Sequence, residues 1–269
     1  MLDWLRTRLQ QGIRTSGFPR DGVDFPERFR GRPVRDPARC GDGCRSCSGR
    51  APSAFLTAGP DGPVDVDVGA CLFSPDEAAA CPDGAVTYSR DHRMATSTRG
   101  GLVSPTGEVE LARALEERTR KLFRRSLRLR SVAAGSCSGC EAELAALGNV
   151  VFDLARFGIQ FVASPRHADG IVVTGAVSRN MRVALEQTYE AVPPPKIVIA
   201  VGACAISGGP FAGSPEVADG VGAILPVDLW VPGCPPHPLT TLDGLLRLLG
   251  VIESGDRWAG ALAAPGPRG

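Results

Sequence analysis

Residues 193–209 read PPPKIVIAVGACAISGG. Three successive prolines fit neither a helix interior nor a central strand, so a new element begins after them. KIVIAV (196–201) is apolar and β-branched with no polar alternation, the pattern of a strand buried on both faces. It stops at Gly202, and Cys204 follows at once. Outward from this run the same grammar recurs. LRLRSV (127–132), IQFVA (159–163), IVVT (171–174) and DLWV (228–231) read as strands, and Glu141–Leu147, Asn180–Tyr189 and Leu239–Leu249 read as helices. Strands alternating with helices predict an α/β unit with a mostly parallel sheet and helices on both faces.

In open parallel sheets, ligands sit beyond the carboxyl ends of the strands. Cys137 and Cys140 follow the first strand of this unit, Cys204 follows KIVIAV, and Cys234 follows DLWV. Four thiols are thus expected at one sheet edge. Glycines stand beside them in GSCSGC (135–140), GAC (202–204) and GCPP (233–236), where backbone must approach a bulky group. Prolines after Cys234 remove competing N–H donors. A C-x-x-C pair alone also fits a dithiol, and four thiolates also fit structural zinc. The dithiol reading leaves Cys204 and Cys234 unexplained. Zinc sites usually draw on two paired knuckles rather than a pair and two singles, so a [4Fe–4S] cluster on Cys137, Cys140, Cys204 and Cys234 is the favoured reading.

The whole chain has nine cysteines, no evident secretory signal and no apolar run of the roughly 20 residues a membrane span needs. A cytoplasmic protein whose cysteines bind metal or do redox work is expected. A net charge of +1 selects no charged partner, and 6% aromatic residues speak against base stacking, so no nucleic-acid partner is expected. There is no Walker A loop, no G-x-G-x-x-G after a strand and no G-x-S-x-G elbow. No catalytic nucleophile is assigned. Glu141 and Glu143 suit a helix N-terminus, with a proton-coupled role as the alternative; His237 reads as structural or as a donor near the cluster, and His167 as a turn residue.

The N-terminal part is different. Leu2, Leu5, Leu9 and Ile13 recur at helical spacing in residues 1–15, for packing on this chain or on a partner. Residues 16–98 are rich in Gly, Pro, Arg and Asp and hold five cysteines, as Cys40-x3-Cys44-x2-Cys47, Cys71 and Cys81-Pro82. Residues 99–107 read as a linker and 108–123 as a helix, running into a basic stretch that is a solvated face or a docking surface for an acidic partner or anionic lipid.

DVDVGACLFSPDEAAACPDGAVTY (65–88) resembles half of the bacterial two-cluster ferredoxin motif, C-x2-C-x2-C-x3-C-P, in which the fourth cysteine serves the other cluster. That resemblance implies one surviving cluster on Cys40, Cys44, Cys47 and Cys81, with zinc on the same thiols as the rival. The other set would be Cys71, Ser74, Glu77 and Ala51, which cannot hold a cluster, leaving Cys71 a buried remnant.

AGSCSGCEAEL (134–144), FGIQFVASPRHADGIVVTGAVSRNM (157–181), PPPKIVIAVGACAISGG and LWVPGCPP (229–236) together resemble the small iron–sulfur subunit family of group 4 [NiFe] hydrogenases, formate hydrogenlyase and respiratory complex I. The resemblance implies a flavodoxin-like sheet preceded by a metal-stapled ferredoxin-like region, and one proximal [4Fe–4S] cluster. It divides the chain into residues 1–35 (helix and tail), 36–98 (ferredoxin-like module), 99–125 (linker and basic helix), 126–250 (cluster domain) and 251–269 (tail). It implies an electron-transfer subunit working with a large catalytic subunit and with other iron–sulfur and membrane subunits, held to the cytoplasmic face of the membrane through them. The separated pair Cys137-Ser138-Gly139-Cys140 resembles the hydrogenase branch; a quinone-reducing complex I subunit and a zinc-stabilised assembly protein without redox work are the alternatives. His237 stands where the family often has arginine.

Overall fold

A computed structural model describes residues 3–40, 47, 49–58, 64–123 and 126–252. In chain order the elements are α1 (Asp3–Gln11), β1 (Pro33–Arg35), β2 (Leu56–Ala58), β3 (Val64–Asp67), α2 (Pro75–Ala79), β4 (Val86–Tyr88), β5 (Val103–Ser104), α3 (Glu117–Phe123), β6 (Leu127–Ala133) and α4 (Gly139–Ala146). Then come β7 (Ile159–Phe161), β8 (Gly170–Thr174), α5 (Arg179–Ala191), β9 (Ile197–Val201), α6 (Ala203–Ser207), β10 (Leu229–Val231) and α7 (Pro238–Leu248). Cys44 lies outside the described residues, as does most of the 251–269 tail.

The central sheet has the order β10-β9-β8-β6-β7 with every pairing parallel. Read from the other edge, this is the flavodoxin-like order 2-1-3-4-5, whose switch point lies between β6 and β8. Every residue of β8, β9 and β10 is buried, as expected of parallel strands covered on both faces. On one face Leu127, Leu129, Ile197, Ile199 and Leu229 meet Leu242, Leu245 and Leu246 of α7 and Leu144 of α4. On the other, Ile171, Val173, Val198 and Ala200 share one core with Leu185 of α5, Ile206 of α6 and the N-terminal Phe55, Val64, Val66 and Leu102.

The N-terminal part is therefore packed onto the sheet. Its own strands form a β2-β3-β5 antiparallel sheet and a β1-β4 pair. A side chain at Gly69 would place its Cβ 2.7 Å from Ile206 Cγ2, so only glycine lets this segment lie against α6. Thr96 pairs antiparallel with Trp230, with N–H···O distances of 3.0 and 2.9 Å, and so covers the β10 edge. Arg156 donates to the carbonyls of Ser16 and Phe18, both at 2.8 Å, strapping the N-terminal segment over the sheet's other end. α1 is the exception: it buries none of its residues, and Leu9 and Ile13 are exposed.

Two sequence expectations fail here. Residues 99–107 are not a linker, because β5 pairs with β3. Residues 108–116 are not helical; only Glu117–Phe123 is. The N–H groups of Glu110, Ala112 and Leu115 bond instead to the carbonyls of Gly101, Ala95 and Leu248, so tertiary pairing overrides the helical spacing of the leucines.

Two buried polar groups test this packing. His92 sits between Phe18 and Phe25, with centroids at 5.8 and 5.2 Å, and neither ring nitrogen has a partner among the described residues. Burial pushes its pKa down to about 4, outweighing the opposing charge of Asp91. Since its ordinary value is 6.5, the unfolded chain binds more protons between the two values. Stability therefore rises with pH across that window and is fully present above it. The melting temperature is expected to fall as pH drops from neutrality towards 4, and His92→Leu should flatten that slope. An unchanged slope in the variant would refute the assignment.

Asp243 and Arg247 of α7 form a buried pair, Nε to Oδ2 at 2.8 Å. Burial raises the Asp243 pKa despite the guanidinium beside it, which marks a pair that costs desolvation. Asp243→Leu should destabilise the fold by about 3–5 kcal/mol in urea titration, and adding Arg247→Met should recover most of that loss.

Candidate metal centre

The three loops that follow β6, β9 and β10 all leave the carboxyl ends of parallel strands, so the register brings them to one edge. After β6 the chain turns through Gly135 (φ +87°) and Ser138 (φ +68°) into α4. A Cβ at Gly175, after β8, would stand 2.7 Å from the Gly135 carbonyl group, so the two turns at the switch point touch backbone to backbone. Gly202 N–H bonds the Val231 carbonyl and Ala203 N–H bonds the Gly233 carbonyl, both at 2.8 Å, tying the β9 and β10 loops together.

The thiols are interleaved with these glycines. A Cβ on Gly202 would stand 2.5 Å from Cys140 Sγ, and one on Gly209 would stand 2.8 Å from Cys204 Sγ. A Cβ on Gly139 would lie 3.5 Å from Cys137 Sγ and 3.7 Å from Pro235, the neighbour of Cys234. Cys140 thus packs against the start of the Cys204 loop and Cys137 lies near Pro235, and Cys204 is close enough to feel the charges of Cys234 and Cys137. Cys140 and Cys204 are half-buried; Cys137 and Cys234 are exposed. Among the described residues no three His, Cys, Asp or Glu side chains crowd closely enough to share one ion.

The electrostatics report the same proximity. Burial, then the charges of Glu141, Cys204, Cys234 and Cys137, push the Cys140 thiol up to about 12. Burial and the charges of Cys234 and Cys137 push Cys204 up to about 11. Burial, Cys137 and Glu77 raise Cys234. Several thiolates cannot coexist here without a cation to neutralise them.

Glu141 follows Cys140 in the first turn of α4. Its Oε1 accepts from Ser136 Oγ at 2.6 Å and from the Thr174 hydroxyl, while Oε2 is buried without a partner among the described residues. Burial works to raise its pKa, but these hydrogen bonds outweigh it and hold the carboxyl below the usual range. Neither Ser136 nor Thr174 was singled out from the sequence, because only the β6–β8 pairing brings Thr174 to this glutamate. Beside Cys234 lies a cavity of about 250 Å³ lined by Arg28, Arg30, Phe73, Glu143 and His237, among others. His237 is a helix cap, its Nδ1 accepting the Leu239 N–H at 3.2 Å, with Phe25, Phe29 and Phe152 around its ring. Burial and the nearby His92 push its pKa down to about 4. His167 ends a short 3-10 turn, Pro165–His167.

The N-terminal cysteines are separate. Cys40, Cys47, Cys71 and Cys81 are all buried. Arg39 donates to the Gly84 carbonyl and Gly84 N–H to the Cys81 carbonyl, which sets the Cys40 turn beside the Cys81 turn. Cys71 lies within hydrogen-bond reach of Glu77 Oε2 at 3.3 Å and Tyr88 at 3.6 Å.

Residues 137–248 match the family described as NADH ubiquinone oxidoreductase, 20 Kd subunit. The chain is 42% identical over 153 residues to formate hydrogenlyase subunit 7 of Escherichia coli (strain K12), covering 57% of this chain and 60% of that one. It is 47% identical over 116 residues to an NADH-quinone oxidoreductase subunit of Heliobacterium modesticaldum, covering 43% and 66% respectively. It is 45% identical over 118 residues to a probable membrane-bound hydrogenase subunit of Pyrococcus furiosus, covering 44% and 71%. The chain thus spans less than two thirds of the first two relatives. The matched residues include Cys137, Cys140, Cys204 and Cys234, and the chain belongs to the NADH ubiquinone oxidoreductase 20 Kd subunit family.

Proposed function

We propose that the chain is an electron-transfer subunit of a membrane-associated hydrogenase or formate-hydrogenlyase-like oxidoreductase, holding a [4Fe–4S] cluster on Cys137, Cys140, Cys204 and Cys234. The convergence of three strand-end loops on these thiols carries the reading. The donor set fits: four thiols, glycine faces against three of them, and mutual repulsion that a cation relieves.

Such a cluster, when bound, accepts and releases single electrons. The chain's own part is to ligate it, to desolvate two of its thiols, and to leave Cys137 and Cys234 at the surface, where a large catalytic subunit would cover them. Other iron–sulfur and membrane subunits are the remaining partners. No helix among the described residues is long and apolar enough to cross a membrane, and attachment to the cytoplasmic face through those partners is part of this proposal. A second cluster on Cys40, Cys44, Cys47 and Cys81 is proposed for the N-terminal module. The similarity to an NADH-quinone oxidoreductase subunit supports a second reading, in which the chain helps to reduce quinone. Hydrogen evolution against quinone reduction by the purified complex separates the two.

Purified without oxygen, the chain is expected to carry iron and acid-labile sulfide in equal amounts. Cys204→Ser or Cys234→Ser should each lower iron by about four per chain while the far-ultraviolet circular dichroism stays that of the parent. Zinc in place of iron, or iron unchanged in both variants, would overturn the proposal.

A further inference from the structure

The eroded half-motif Cys71-x2-Ser74-x2-Glu77-x3-Cys81-Pro82 keeps its spacing but has lost two thiols. Cys71 and Ser74 of this motif are nevertheless drawn to one point, and that point is the Glu77 carboxylate. Glu77 is 0% exposed. Its Oε1 accepts the Leu72 N–H at 2.9 Å and the Ser53 hydroxyl. Its Oε2 lies 3.0 Å from Leu72 N, 3.1 Å from Ser74 N, 3.1 Å from the Tyr88 hydroxyl and 3.3 Å from Cys71 Sγ. Ser53 is two residues beyond Ala51, the fourth position of the eroded set. Of the other three positions of that set, Cys71 and Ser74 reach this carboxylate directly and Ala51 does so through Ser53.

The surroundings are those of an anion. Every group around Glu77 offers a hydrogen, and an ionised carboxylate only accepts. Burial raises Cys71 and Tyr88 well above their ordinary values, with Glu77 adding to both, so each keeps its proton as a donor. No ion pair reaches Glu77 among the described residues, so backbone and hydroxyl dipoles do the neutralising. Phe73, at φ +56°, turns the chain so that the Leu72 and Ser74 N–H groups bond Glu77 and its own N–H bonds Cys71 Sγ at 3.3 Å. Successive N–H groups closing on one anion also suit the sulfides of an inorganic cluster.

We infer that the Glu77 carboxylate fills the place of the N-terminal module's other, lost [4Fe–4S] cluster and has taken over its task of ordering the loop from Gly69 to Cys81. This rests on reading residues 36–98 as an iron–sulfur module. The loop matters beyond its own module. The Gly69 carbonyl accepts from Ser207 of α6, the Phe73 carbonyl accepts from Arg30, and Phe73 lines the cavity beside Cys234. Glu77 thus acts as a positioning residue for one wall of the metal centre, and no electron rests at its site.

The test uses the full chain, purified anaerobically and reconstituted with ferrous iron and sulfide. Restoring the thiols by Ala51→Cys, Ser74→Cys and Glu77→Cys together, with native Cys71 as the fourth, should add about four irons per chain to the parent value. Cys71→Ala alone should leave the parent iron unchanged. Glu77→Ala should speed proteolysis between residues 69 and 88 by about tenfold or more, and the iron-loaded triple variant should recover resistance. No added iron in the triple variant, iron lost in Cys71→Ala, or parental resistance in Glu77→Ala overturns the inference. Should Glu77→Ala accumulate unfolded, the added iron decides alone. The parent's iron content tests the module reading separately, and the increment tests the site of Glu77.

Discussion

Parallel pairing is the constraint on which the rest depends. When every strand of a sheet runs the same way, all the loops that follow strands emerge at one edge, whatever their distance along the chain. Cys137 and Cys234 are separated by nearly the whole C-terminal half, yet β6, β9 and β10 deliver them to a common rim. At the switch point between β6 and β8 the two glycine turns at Gly135 and Gly175 meet backbone to backbone. Thiol convergence is thus a property of topology first and of local sequence second.

The second organising fact is the shared core. Valines of β3 and Leu102 belong to the same apolar cluster as β8 and β9, so the N-terminal part is one of the layers that bury the sheet. This gives the Gly69–Cys81 loop a fixed position beside α6 and Cys234. It also explains how a region poor in periodicity holds short strands. Strands of two to four residues gain little alone, and they persist by docking on a face already built.

Much of this was legible in the sequence. β8 and β9 announce themselves because both of their faces are buried, which removes polar alternation from IVVT and IVIAV. The cysteines followed from the strand ends. The short N-terminal strands did not, since their pairing is decided by long-range register. Leu111 and Leu115 misled because helical spacing also occurs in a chain that lies extended against other segments, as Ala112 and Leu115 do through their N–H groups. The grip of Ser136 and Thr174 on Glu141, and of Leu72 and Ser74 on Glu77, required knowing which loops meet. Local sequence specifies who is present at a site; topology specifies who is adjacent.

The Thr96–Trp230 bridge bears on how far this protein can be divided. β10 is the last strand of its sheet, and its outward N–H and C=O groups are answered there by the N-terminal half. Severed from that half, the family portion would present an unsatisfied strand flank and a bare apolar layer, a template for self-association. The N-terminal region therefore shields both the open edge and one apolar face of the sheet that carries the four thiols.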